Sequence, residues 1–101
     1  MFASGSAPPA TIAREVTASV DEFERGLRLA FPGAIEGGPR HYRVWRHDCV
    51  MEVDVLVLPP RAIGGLALPL LAVTLRFPSA DAPERAAMLA WLDFAMHRGG
   101  G

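Results

Sequence analysis

The chain predicts an α+β fold, a two-layer sandwich in which an antiparallel sheet of four to five strands carries both helices on one face. Three features predict it. Residues 40–58, RHYRVWRHDCVMEVDVLVL, alternate like the two arms of a hairpin; Ser19 and Asp81 each stand three residues before a Glu, as at helix starts; and most strand connections are short enough for antiparallel neighbours. At 101 residues, half of them hydrophobic, the chain has enough apolar material for one core and no room for a second. The expected organisation is a flexible leader over 1–9, one domain over 10–98 and a flexible glycine tail over 99–101.

Residues 10–18 alternate weakly, with Ile12, Val16 and Ala18 against Thr11, Ala13, Glu15 and Thr17, and read as a first strand in which Arg14 is a misfit on the inner face. Ser19-Val-Asp-Glu22 is a capping box, and Val20, Phe23, Leu27 and Ala30 form the apolar stripe of the helix that follows. Pro32-Gly33 ends it, 33–36 is a short strand, and Gly37-Gly38-Pro39 is a turn. In the hairpin, a tip at His47-Asp48 sets Arg43 opposite Glu52, His41 opposite Asp54 and Trp45 opposite Val50 on one face. Val44 then meets Met51 and Tyr42 meets Val53 on the other. A slip of one residue would set Arg43 against Met51, so the pattern itself argues for this register.

Pro59-Pro60 is expected to close the second arm, because proline has no amide for a ladder, and a flexible loop passes through Gly64-Gly65. Residues 68–77 return as a strand with Leu71, Val73, Leu75 and Phe77 on the core side and Leu70, Ala72, Thr74 and Arg76 on the other; Pro69 suits an edge. Asp81-Ala-Pro-Glu84 starts a second helix, expected to run to about Arg98 and to be stopped by the tail glycines. The resulting order, β-α-β-β-β-β-α, resembles the TATA-box-binding-protein-like and helix-grip folds by element order only. Folds of this sort host many unrelated functions.

Composition removes several chemistries. No Lys is present, which excludes Schiff-base catalysis, pyridoxal phosphate attachment and a P-loop lysine. Net charge is −1, without the excess of positive charge that drives binding to phosphate backbones. The single Cys49 cannot form an internal disulfide, so a cytoplasmic location is the expectation. The leader has neither a basic nor an apolar segment of signal-peptide type, and the uncharged run 62–75 is too short and too rich in Gly and Pro for a membrane span.

Read along the string, His41, His47, Asp48 and Cys49 resemble metal ligands, but six extended residues span about 20 Å, so no metal site is expected, and no cofactor. His41 with Asp54 is the only acid/base pair that can be named, and no suitable nucleophile shares its face; an ordinary surface ion pair is the favoured reading. Cys49 reads as a small buried hydrophobe. Arg40, Arg43 and Arg46 interleave with Tyr42 and Trp45 as on a nucleic-acid platform, but Glu52 and Asp54 neutralise that face and Tyr42 points to the core, so nucleic acid is not the expected partner. The terminal glycines match the tail of ubiquitin-like carriers poorly, since here they leave a helix.

Two functional expectations follow. The first is a non-catalytic interaction module, homodimeric, that binds a protein or a small polar ligand through an open charged face of His41, Arg43, Trp45, Glu52 and Asp54, with Trp45 as the anchor. The second is a small-molecule binder or enzyme with an apolar pocket between the last helix, the 59–69 loop and the sheet. Its motive is that residues 86–92, with Phe94, Ala95 and Met96, are apolar nearly all round, so that Arg61, Met88, Trp91, Leu92 and Met96 mark either a pocket or a dimer face.

Overall fold

The computed structural model describes residues 10–100; the expected leader over 1–9, and Gly101 of the tail, lie outside the described residues. The elements are β1 (Thr11–Val16), α1 (Val20–Ala30), β2 (Ile35–Gly37), β3 (His41–Arg46), β4 (Cys49–Ile63), β5 (Leu66–Arg76) and α2 (Ala82–Gly100). The five strands make one antiparallel sheet in the order β1-β5-β4-β3-β2, and both helices pack on the same face of it.

Local chemistry explains where the helices begin. The Ser19 hydroxyl accepts from the Glu22 N–H (3.1 Å) and the Glu22 carboxylate accepts from the Ser19 N–H (2.9 Å), so two amides that the helix leaves open are satisfied reciprocally. Asp81 and Glu84 repeat the device at α2, with both contacts at 2.9 Å. The backbone hydrogen bonds of Ser19 hold the Glu22 carboxyl below the usual carboxylate range. Helix α2 continues through Gly100, two residues beyond the expected stop at Arg98, a difference of the size by which helix ends commonly vary.

The core is the face that the hairpin register turns inward. Tyr42, Val44, Met51, Val53, Leu71, Val73 and Leu75 are buried from the sheet, and Phe23, Leu27, Ala30, Met88, Leu89 and Leu92 meet them from the helices. The Tyr42 hydroxyl donates to Glu24 (2.8 Å), which satisfies the one polar atom that this ring carries inward. Gly26 lets the helices approach closely, since a Cβ there would stand 2.9 Å from the Met96 sulfur. Arg14, the misfit of β1, sits on the helix face, where it is ion-paired with Asp93 of α2.

The paired residues of β3 and β4 are those that the alternation requires, from His41↔Asp54 to Arg46↔Cys49. His47 takes the left-handed conformation at the tip (φ 57).

The prolines 59 and 60 do not close β4. The strand passes through them as an irregularity between Leu58 and Arg61 and runs on to Ile63, and the expected flexible loop is instead a tight turn at Gly64-Gly65, with Gly64 left-handed (φ 60). The physical reason lies in what flanks the ladder there. The Val55 amide bonds to the carbonyl of Arg40, so odd positions of β4 turn towards β3, whose first residue, His41, stands opposite Asp54. The Phe77 amide bonds to the carbonyl of Ala10, so odd positions of β5 turn towards β1, whose last residue, Val16, stands opposite Leu71. Pro59 and Pro69 therefore fall where the neighbouring strand has run out and no amide is needed. Beyond Val57, β4 and β5 continue as a two-stranded arm, and the molecule is elongated, 48 × 34 × 22 Å.

Candidate functional site

The sheet face opposite the helices is organised in rows of cross-strand neighbours. One row crosses all five strands and alternates in sign over four of them: Glu36, Arg43, Glu52, Arg76, then Thr11. The next is His41, Asp54, Thr74 and Ala13, and the third Leu56, Ala72 and Glu15. Past it the arm contributes Leu58 with Leu70, Arg61 with Leu68 and Ile63 with Leu66. The face is thus charged at its root and aliphatic from Leu56 outward along the arm; Leu56, Ile63 and Leu66 are 64%, 53% and 66% exposed.

His41, Arg43, Trp45, Glu52 and Asp54 share this face, as their parity requires. Asp54 is held from both sides: His41 Nδ1 lies 2.5 Å from Oδ1, and Arg76 Nη2 donates to Oδ2 at 3.3 Å. The same Arg76 nitrogen donates to Glu52 Oε1 at 2.6 Å. Arg43 stands beside Glu52 in the ladder but makes no ion pair among the described residues, because Arg76 takes that carboxylate from the other side. Arg76 is the residue that the hairpin alone could not supply. Its parity was readable, its place beside Glu52 was not, because the pairing of β5 with β4 depends on how the chain passes Pro59-Pro60.

The side chains of His41 and Asp54 are 61% and 44% exposed, and neither residue lines the grooves of the helix side. Thr74, the hydroxyl on the neighbouring strand, stands opposite Asp54 and not His41. No group of three or more His, Cys, Asp or Glu suited to a metal ion occurs among the described residues. Cys49 is buried, and burial, together with the nearby carboxylates Glu84 and Asp81, pushes its thiol up and away from the reactive thiolate.

The second set of expected residues does not assemble into one site. Met88 and Leu92 are 1% and 4% exposed and belong to the core. The Trp91 indole N–H donates to the Ala30 carbonyl (2.7 Å), a free acceptor at the end of α1, and Arg46 stacks on the ring with its guanidinium carbon 4.6 Å from the centroid. Arg46 is therefore on the helix face and outside the basic cluster that the sequence suggests. Met96 packs beside Gly26. Arg61 is on the opposite face, on the arm, bonded to Glu15 at 3.1 Å. The apolar surplus of α2 resolves only in part: its large side chains before Phe94 turn inward, whereas Phe94 itself is 54% exposed, with Ala86, Ala87 and Ala90 the smaller exposed remainder.

A groove does exist on the helix side, formed by the end of β1, α1 and the C-terminal half of α2. It has two adjoining lobes of about 590 and 470 Å³, with Val16, Thr17, Phe23, Met96 and His97 common to both. The 59–69 segment contributes nothing to it, since that segment is the arm. No helix is long and apolar enough to cross a membrane among the described residues. Compared with the known protein families, with curated proteins and with solved structures, the chain matches none of them.

Proposed function

We propose that this chain is a non-catalytic interaction module that binds a protein through the open face of its sheet. The observation that carries the reading is the aliphatic arm. Leu56, Ile63 and Leu66 are exposed on the same face as Leu58, Leu68 and Leu70, contiguous with the charged rows, and a monomer rarely leaves such an apolar stripe uncovered. The charged root supplies orientation and the arm supplies apolar area, the division of labour common at protein interfaces.

Amide chemical-shift mapping against host lysate fractions and a metabolite set tests this. Shifts concentrated in residues 41–45, 52–58 and 63–72 are expected. In a Trp45→Ala variant the fold is retained and the response weakens, since Trp45 is half-buried on the open face and outside the core. A protein that responds nowhere on this face overturns the reading.

The helix-side groove favours a second reading, a small-molecule binder. Its walls are apolar (Val16, Phe23, Leu92, Met96) and its rim carries Glu22, Arg25 and His97. Metabolite-induced shifts confined to Val16, Phe23 and Met96 would establish it in place of the first.

A further inference from the structure

We infer that the occupant of the open face is a second copy of this chain, related to the first by a two-fold axis that runs along the strands between β4 and β5. The inference rests on the reading of that face as the binding surface.

The argument is one of complementarity. Such an axis exchanges the β4 and β5 columns of every row. Glu52 then faces Arg76 of the second copy, and Arg76 faces its Glu52, so opposite charges meet twice in each interface. In the same operation Leu58 meets Leu70 and Ile63 meets Leu66, aliphatic against aliphatic, while between them the stem of Arg61, whose guanidinium is held by Glu15, lies against Leu68. A face of one sign would call for a partner of the other sign, whereas a row that alternates fits itself. The outer columns follow the same operation: Arg43 of β3 comes to face Thr11 of β1 in the second copy, and Glu36 of β2 has no strand opposite it and stays in water. With strands about 4.8 Å apart and same-face residues about 6.8 Å apart, the shared rows cover about 600 Å² before side-chain relief, near the ~800 Å² per partner of a stable interface.

Sedimentation equilibrium of the full chain at micromolar concentrations tests it, and a dimer is the expected mass. Leu66→Asp, on an exposed arm position, should give a folded monomer. Glu52→Arg and Arg76→Glu should each raise the dissociation constant by roughly tenfold or more, since both two-fold contacts turn from attraction to repulsion. An equimolar mixture of these two variants should recover the dimer. A purely intrachain role cannot produce that recovery, because each variant chain keeps its own like-charged pair after mixing. A monomeric wild type overturns the second copy as occupant, and shift mapping still reads whether another protein uses the face. A dimer indifferent to all three substitutions places the contact elsewhere and overturns the inference, while the reading beneath it stands or falls on shift mapping of the open face.

Discussion

At the root of the open face, Arg76 ties Glu52 and Asp54 together and His41 closes on Asp54, while the opposite side of the same strands is sealed by two helices. Along the arm, the ladder of β4 and β5 continues with aliphatic residues and no third strand beside it. The two regions share strands, hydrogen bonding and a face, yet one draws its stability from the core behind it and the other has no core. Alternation within a strand decides which way a side chain points. What lies behind the strand decides whether that direction stabilises the fold.

Truncation is the strongest way to break the comparison. Met51→Ala, at a fully buried root position, should cost about 2–5 kcal/mol in denaturant unfolding, whereas Leu66→Ala near the arm's tip should stay within about 0.5 kcal/mol when both are measured at concentrations low enough to keep the chain monomeric. Equal costs would mean that the arm is covered within the monomer. Hydrogen exchange gives the same contrast without mutation: amides of 57–70 should exchange through local opening, and those of 51–55 and 71–75 only near global unfolding.

Tyr42→Phe comes next, at about 1 kcal/mol, because it deletes the hydroxyl that donates to Glu24. Its acid dependence has a definite sign. That hydroxyl, and then Arg28, hold the Glu24 carboxyl below its ordinary range, so the folded state binds this proton less readily than the unfolded chain. The associated stability is present at neutral pH and is lost as pH falls through and below the ordinary carboxylate range. Thermal midpoints of wild type and Tyr42→Phe should therefore converge in acid. The smallest effect belongs to the charged root: Arg76→Ala should cost no more than about 1 kcal/mol, and added salt should shrink even that, since its ion pairs are only partly buried.

The hairpin register, the capping box at Ser19, the helix start at Asp81 and the sides of β5 were legible because each is fixed by neighbours close in sequence. Tyr42 opposite Val53 follows from a turn two residues long, and Ser19 reaches Glu22 within one helical turn. The arm was hidden by a rule applied without its context. Proline interrupts a ladder only where a neighbour needs its amide, and whether β1 or β3 reaches that far depends on pairings made across more than fifty residues for β1. Arg76 became part of the candidate site for the same reason, as did the separation of Arg61 from Met88 and Leu92. A two-glycine turn between Ile63 and Leu66 was the available signal: counted back from it with one residue allowed for the prolines, Arg76 lands opposite Glu52.

Pro59 and Pro69 carry a further consequence. They stand one on each bare margin of a sticky hairpin, where any passing strand would otherwise find free amides. With those margins blunted, the arm can be gripped from its flat side but cannot seed a growing ribbon. Assemblies of this protein should therefore stop at a fixed number of copies, and replacing these prolines with β-formers such as valine should leave the monomer fold intact while making the protein prone to fibres, a change that light scattering over time would reveal.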